Sequence, residues 1–192
     1  MRHPPTSKVI AVVVAEHQRA ADDSSAVICN DLGKWIVTSK TFNLASMMIS
    51  NIFIPNPELR RKFRKQLDAA GISQLGVLGL VATETAYSKG EEWYQAMHAY
   101  VEANINYTKE YVEKYLPGVK MTDLEGTYLV WLDFRETGLT VAELEDLILN
   151  KARLWLDSGK IFGKEGEGFQ RINVACPRAT LTEALERIRK AF

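Results

Sequence analysis

The strongest constraint on the fold is a long amphipathic helix predicted in the middle of the chain. Apolar side chains recur at helical spacing from Trp93 to Tyr115. Ser88 and Glu91 form the pattern of a capping box before them, and Leu116-Pro117-Gly118 ends the pattern. A helix of roughly seven turns suits a strut between two lobes better than an element of a small bundle. The sequence therefore predicts a lobe on each side of this helix.

The segment before the long helix predicts both strands and helices. Short apolar runs predict strands at residues 9–15, 35–39 and 49–55, the first of them buried on both faces, with a polar loop at 16–25. Asn56 as N-cap and Pro57 at the first helical position predict a helix that Gly71 ends. Residues 72–87 are apolar and predict a buried helix.

The segment after the long helix predicts a compact α+β lobe of about 75 residues. Strands are expected at residues 119–121, 128–134 and 168–175. Thr140 with Glu143, and Thr180 with Glu183, have the spacing of capping boxes that open two amphipathic helices.

Composition and charge narrow the class of partner. Lys plus Arg and Asp plus Glu number 24 each among 192 residues, so no net field favours nucleic acid or an anionic membrane. The longest apolar run, residues 9–15, is too short to span a bilayer. Cys29 and Cys176 lack metal-ligand spacing, so we expect no metal and two reduced thiols in a cytoplasmic protein.

The segment 39–45, Ser-Lys-Thr-Phe-Asn-Leu-Ala, is the most informative for chemistry. Lys40 follows a predicted strand, and α/β folds place ligands where strands end. On position alone a solvated surface amine is the commoner interpretation. The segment, however, resembles the cofactor-binding lysine segment of cystathionine β-lyase-like (C–S lyase) aminotransferases, which are pyridoxal 5'-phosphate (PLP) enzymes of fold type I. The resemblance implies that Lys40 forms the Schiff base with PLP.

A second segment, residues 163–178, carries Arg171 in the sequence Arg-Ile-Asn-Val-Ala. Alone, Arg171 would be interpreted as a charge at a strand edge. The resemblance implies that it binds the α-carboxylate of the substrate, for which the planar guanidinium fork is well suited. Arg178, which follows Pro177, is interpreted as structural.

Two further segments, residues 80–87 and 116–135, carry the same resemblance, which extends from about residue 39 to the C-terminus. Tyr128 and Trp131 could border the substrate pocket, although core packing is the favoured interpretation of each. The fold implied is α/β: part of a fold-type-I PLP large domain over residues 1–90, an interdomain helix over 91–117, and a small α+β C-terminal domain over 118–192.

The function implied is that of a PLP-dependent C–S β-lyase or aminotransferase of amino-acid metabolism. Lys40 would be catalytic, Ser39 and Thr38 would contact the phosphate, and a small amino acid such as cystathionine would be the substrate. The family is dimeric, so a homodimer is expected, without nucleic acid or membrane. The sequence does not separate the lyase outcome from the aminotransferase outcome.

The resemblance also has departures. The family carries its glycine-rich phosphate cradle and ring-stacking aromatic residue in a first half that this sequence does not match. Glu16 stands near the position of the acid that pairs with the pyridinium nitrogen, and Ser46 replaces the usual glycine. The alternative is therefore a truncated, inactive relative that acts as an interaction module, or a chain that needs a separate N-terminal half.

Overall fold

The computed structural model describes residues 10–12, 28–29, 33–37, 39–47, 49–54, 56–71 and 75–192. It divides into two compact units, Met1–Gln95 and Ala96–Phe192. The boundary falls within the long helix, and the assignment of residues 1–90, 91–117 and 118–192 to family domains stays a prediction.

The first unit contains an antiparallel sheet in the order β1-β4-β3-β2. Its strands are β1 (Ile10–Val12), β2 (Ile28–Cys29), β3 (Gly33–Val37) and β4 (Ser50–Phe53). The predicted strands at 9–15, 35–39 and 49–55 correspond to β1, β3 and β4, whereas β2 was not predicted. The predicted loop at 16–25 lies outside the described residues.

Helix α1 (Pro57–Ala69) begins and ends as the sequence predicts. The side chain of Asn56 accepts hydrogen bonds from the backbone N–H groups of Glu58 and Leu59, at 2.9 and 3.1 Å. Gly71 follows the helix with φ +70°, a conformation that costs glycine little. The apolar side of the helix packs on a small core formed by Ile52 and Ile54.

Helix α2 (Val77–Lys89) corrects two predictions. It begins later than residue 72, and it is not a buried helix, because its buried residues are Gly79 and Thr83 alone. Val77 and Leu78 are 72% and 77% exposed. Gly79 lets the helix approach the sheet side of the unit, where an added Cβ would lie 2.5 Å from Ile49 Cδ1. The described part of the first unit therefore covers the face of α2 that carries Gly79 and Thr83 and leaves its apolar residues Val77, Leu78 and Val81 exposed.

The long helix α3 (Glu91–Tyr115) is confirmed, but the capping box predicted at its start is wrong. Ser88 lies in the last turn of α2, where its hydroxyl donates to the carbonyl of Glu84 at 2.6 Å. Gly90 separates the two helices, so α3 begins at Glu91 without a Ser88 cap. Among the described residues, no helix is both long and apolar enough to cross a membrane.

The second unit contains an antiparallel sheet in the order β5-β6-β8-β7. The strands are β5 (Lys120–Met121), β6 (Leu129–Asp133), β7 (Asp157–Ser158) and β8 (Phe169–Asn173). Three of them match the predicted strands, and the two-residue β7 was not predicted. In β6 and β8, Val130, Leu132 and Ile172 are buried in the core of this unit. Alternation along each strand places Trp131 and Arg171 on the opposite face.

Two helices close the core of this unit. In α4 (Val141–Asp146) the predicted capping box of Thr140 and Glu143 is confirmed, and a π-helical turn, Leu147–Lys151, follows it. The capping box predicted at Thr180 and Glu183 is wrong, because α5 (Arg178–Ala191) begins after Pro177, before Thr180. The core itself joins side chains from the sheet and from the helices: Val112, Leu116, Leu144, Leu147, Val174, Leu181, Leu185 and Ile188.

Candidate functional site

Lys40 lies in a turn that follows β3 in the first unit. Its carbonyl accepts a hydrogen bond from the backbone N–H of Asn43 at 3.3 Å, and Asn43 has φ +53°. Lys40 and Ser39 are both partly exposed. The placement after a strand agrees with the prediction, whereas Thr38 lies outside the described residues. A partly exposed amine in a tight turn is accessible to a small aldehyde.

The aromatic side chain of Phe42 anchors this turn. Its ring centroid lies 5.6 Å from that of Tyr87, 5.9 Å from that of Trp93 and 6.2 Å from that of Tyr94. An added Cβ at Gly90 would lie 2.8 Å from Phe42 Cε1, so the glycine permits this approach. The chain two residues after Lys40 is therefore held against the end of α2 and the start of α3. No sequence pattern predicted this cluster.

Arg171 lies on β8 of the second unit, between β6 and β7, with Trp131 and Asp157 as its cross-strand partners. Its Nε and Nη2 both donate to Oδ2 of Asp157, at 3.2 and 2.7 Å. The Arg171 side chain is 10% exposed and that of Asp157 is 46% exposed. The Arg171 guanidinium is therefore largely buried, whereas the Asp157 carboxylate beside it is partly exposed to solvent.

Aromatic rings surround the same guanidinium. Its central carbon lies 4.5 Å from the ring centroid of Phe162 and 5.9 Å from that of Trp131. The Trp131 and Phe162 rings meet edge to face at 5.1 Å. Trp131 thus borders Arg171 on the face opposite the core. Tyr128, in contrast, packs against the core, and burial raises the pKa of its hydroxyl.

The loop that carries Phe162 is fixed by two glycines. An added Cβ at Gly159 would overlap the carbonyl oxygen of Gly166, and one at Gly166 would overlap that of Gly159. No larger residue fits this crossing of the backbone without displacing it. Phe162 lies inside the loop that these two glycines close.

Glu145, in α4, links this loop to the sheet. Its carboxylate accepts hydrogen bonds from Lys160 Nζ at 2.8 Å and from Gln170 Nε2 at 3.1 Å. Burial raises the pKa of the Glu145 carboxyl, but the hydrogen bonds from Lys160, Ser158 and Gln170 outweigh burial, so the pKa lies below its ordinary value. Glu145 is therefore held in its charged form, bonded to Gln170, the residue before Arg171, and to Lys160, which follows Asp157 in the chain.

Arg178 has structural contacts within the second unit. Its Nε donates to Asn104 Oδ1 at 2.7 Å, and its guanidinium lies 4.4 Å from the ring centroid of Tyr107. These contacts tie the start of α5 to α3. Lys40 lies in the first compact unit and Arg171 in the second.

Comparison with known proteins identifies relatives of this chain. No protein-family model matches the chain. Cystathionine β-lyase PatB of Bacillus subtilis is 41% identical over 154 residues, which are 80% of this chain and 40% of that protein. The cystathionine β-lyase of Corynebacterium glutamicum is 35% identical over 79% of this chain and 40% of its own length.

The homologues of this chain are cystathionine β-lyases and related C–S lyases. The chain spans about two fifths of the length of the curated relatives it matches, in roughly their C-terminal half. A solved structure agrees: cystalysin from Treponema denticola, which contains pyridoxal 5'-phosphate, superposes with a TM-score of 0.78 at 38% identity, over 82% of this chain and 40% of cystalysin. The predicted fold class, a partial PLP-dependent aminotransferase fold, is confirmed.

Proposed function

We propose that this chain is the lysine-bearing portion of a PLP-dependent C–S β-lyase that acts on sulfur amino acids such as cystathionine. The observation that carries the proposal is Lys40, a partly exposed amine in a turn after β3, within a chain 41% identical to a cystathionine β-lyase. The residues present fit the cofactor: the Lys40 amine would hold its aldehyde covalently, and the hydroxyls of Ser39 and Thr38 would donate to its phosphate.

Each predicted residue has a defined task in this proposal. Arg171 would bind the α-carboxylate of the substrate through its guanidinium, which fixes the orientation of Cα. The amino group of the substrate would take the place of Lys40 on the cofactor aldehyde, and the freed Lys40 amine would then accept the proton from Cα. When bound, PLP supplies an electron sink for the electrons of the broken C–H bond. The β-thiol then leaves, and water converts the remainder to pyruvate and ammonia. The names of the relatives favour this lyase outcome over transamination.

The absorption spectrum of lysine-bound PLP tests the proposal. PLP is added to the purified chain, to Lys40→Ala, and to Lys89→Ala, which removes an exposed lysine of the same unit. We expect a visible band in the unmodified chain and in Lys89→Ala but not in Lys40→Ala. If the band appears, release of pyruvate from cystathionine tests the reaction itself. A band that survives in Lys40→Ala would contradict the role of Lys40.

A second candidate is a chain that works only in association. The exposed apolar side chains of α2 favour this candidate, since monomeric proteins rarely expose a contiguous apolar surface of this kind. The partner would be a second copy or a polypeptide corresponding to the N-terminal half of the relatives. If the unmodified chain gives no PLP band alone but gives one when mixed with that half, association is part of the function. If neither sample gives a band, an inactive interaction module is favoured.

A further inference from the structure

The ion pair between Arg171 and Asp157 is unequal in its exposure. A guanidinium that is 10% exposed needs a counter-charge, because burial of an unpaired charge is costly. Asp157 supplies it from a position that is 46% exposed, and it does so with one oxygen, Oδ2, which accepts from both Nε and Nη2. Asp157 therefore occupies one edge of the guanidinium.

Asp157 is itself held in place by the sheet. It pairs with Arg171 across β7 and β8, and the next residue, Ser158, pairs with Gln170. The carboxylate of Glu145 accepts hydrogen bonds from Gln170 on β8 and from Lys160, just after β7. These hydrogen bonds hold the end of the short strand β7 in place beside β8. The carboxylate of Asp157 consequently has a fixed position before any ligand binds, and this is a property of a residue that orients another.

The edge that Asp157 occupies determines how a carboxylate can approach. The ring of Phe162 covers a face of the guanidinium at 4.5 Å, and Asp157 takes the Nε–Nη2 edge. A carboxylate that approaches Arg171 therefore meets a guanidinium whose orientation Asp157 and Phe162 have already set. We infer that Asp157 is a positioning residue for carboxylate recognition by Arg171, an inference that rests on the proposed function.

Asp157 could instead act as a competitor that occupies Arg171 until a substrate displaces it. The two roles predict opposite orders of affinity in two variants. Asp157→Asn retains an acceptor oxygen but removes the negative charge, whereas Asp157→Ala removes both. Positioning predicts that Asn binds a carboxylate about as well as Asp and that Ala binds it less well. Competition predicts that both variants bind more tightly, Ala at least as tightly as Asn.

Nuclear magnetic resonance of the arginine side chain measures this directly. The Nε–H signal of Arg171 in the full chain is assigned by its loss in Arg171→Lys and is followed during titration with sodium acetate, with sodium chloride at equal ionic strength as reference. The titration is repeated for Asp157→Asn, Asp157→Ala and Asp123→Ala, the last removing an exposed acid elsewhere in the same unit.

We expect Asp157→Ala to weaken acetate binding about tenfold, the effect of losing the charge-assisted hydrogen bonds that orient the guanidinium. Asp157→Asn should stay within about twofold of the unmodified chain, and Asp123→Ala should not differ from it. Rescue by Asn separates positioning from a general loss of structure.

Different results would contradict the positioning role of Asp157 and the carboxylate role of Arg171. Acetate binding at Arg171 that is equal or tighter in Asp157→Ala would overturn the positioning role and leave the carboxylate role of Arg171 intact. An Arg171 signal that does not respond to acetate in the unmodified chain would overturn the carboxylate role and the positioning role together.

Discussion

Asn104, on α3, is a polar side chain with no exposed surface in the second unit. Its Nδ2 donates to the carbonyls of Val174 and Cys176, at 2.8 and 2.9 Å, and its Oδ1 accepts from Arg178 Nε at 2.7 Å. The amide thus fixes the short segment that connects β8, which carries Arg171, to α5. Both hydrogens of the amide nitrogen are used, so this is a fully satisfied buried donor.

Replacement of Asn104 by alanine should be strongly destabilising. Two backbone carbonyls and the Arg178 guanidinium would lose their partner at a buried site, which costs about 3 kcal/mol in the free energy of unfolding. Urea unfolding measures this quantity. Asn106→Ala, at an exposed position of the same helix, is the matched control and should change stability by no more than about 0.5 kcal/mol. Equal effects of the two substitutions would contradict the role of Asn104.

Single residues were predictable from the sequence only where their neighbours carried information. Lys40 was proposed as a site residue from the seven-residue segment around it, since its position alone suggests a surface amine. Asp157 was not identified, because its contact with Arg171 joins residues 14 positions apart across an unpredicted two-residue strand. Asn104 lay inside a regular helical pattern, and its partners are about 70 residues away. A polar residue on the apolar side of that helix was the available signal.

At the scale of elements, α2 stands out because several of its apolar side chains are exposed to solvent. Its first half, from Val77 to Ala82, is apolar, which is typical of a buried segment, yet Val77, Leu78 and Val81 are exposed. Such a surface favours association with another apolar surface. We therefore expect the purified chain to self-associate as its concentration rises.

A charge on this surface should reduce that association. Leu78→Glu places a carboxylate in the middle of the exposed apolar residues, where burial in an interface would cost its solvation. Thr85→Glu adds the same charge at an exposed polar position of the same helix and serves as the control. Sedimentation velocity over a range of concentrations should show less self-association for Leu78→Glu than for Thr85→Glu. An unmodified chain that stays monomeric at high concentration would contradict the expectation.

The ends of the helices show which local signals are reliable. Asn56 with Pro57, and Thr140 with Glu143, predicted true helix starts, because the backbone of each cap residue, Asn56 and Thr140, is extended and separates the helix from the chain before it. Ser88 with Glu91 and Thr180 with Glu183 have the same spacing. Ser88, however, lies in the last turn of α2, and Thr180 lies within α5, after its cap residue Pro177. A capping pattern inside a helix is indistinguishable in sequence from one that starts it. Gly90 and Pro177 were the signals that place these two boundaries.

At the scale of the molecule, the two compact units have unequal cores. In the second unit, one cluster joins the sheet with α3, α4 and α5, and Val130, Leu132, Leu185 and Ile188 have no exposed surface. In the first unit, the described cluster consists of Ile52 and Ile54 against one side of α1. The long helix predicted a lobe on each side of it, and the chain divides into two compact units. Helical periodicity, however, reports which face of an element is apolar, not how much of that face its neighbours cover.

Hydrogen exchange of backbone amides should reveal this difference in packing. Local opening exposes little apolar surface in the first unit and much more in the second, so its free-energy cost should be lower in the first unit. We expect amides of β6 and β8, the central strands of the second sheet, to exchange far more slowly than those of β3 and β4, the central strands of the first.

A core substitution tests whether the protection arises from the core of the second unit. Leu185→Ala removes a fully buried side chain of α5 and should cost about 2 to 5 kcal/mol, so exchange in β6 and β8 should accelerate strongly. Amides of β3 and β4 should keep their rates, because their described core contains no contact with α5. Equal acceleration in both sheets would show instead that the two units open as one cooperative structure, and the stability of the turn at Lys40 would then depend on the same core that supports Arg171.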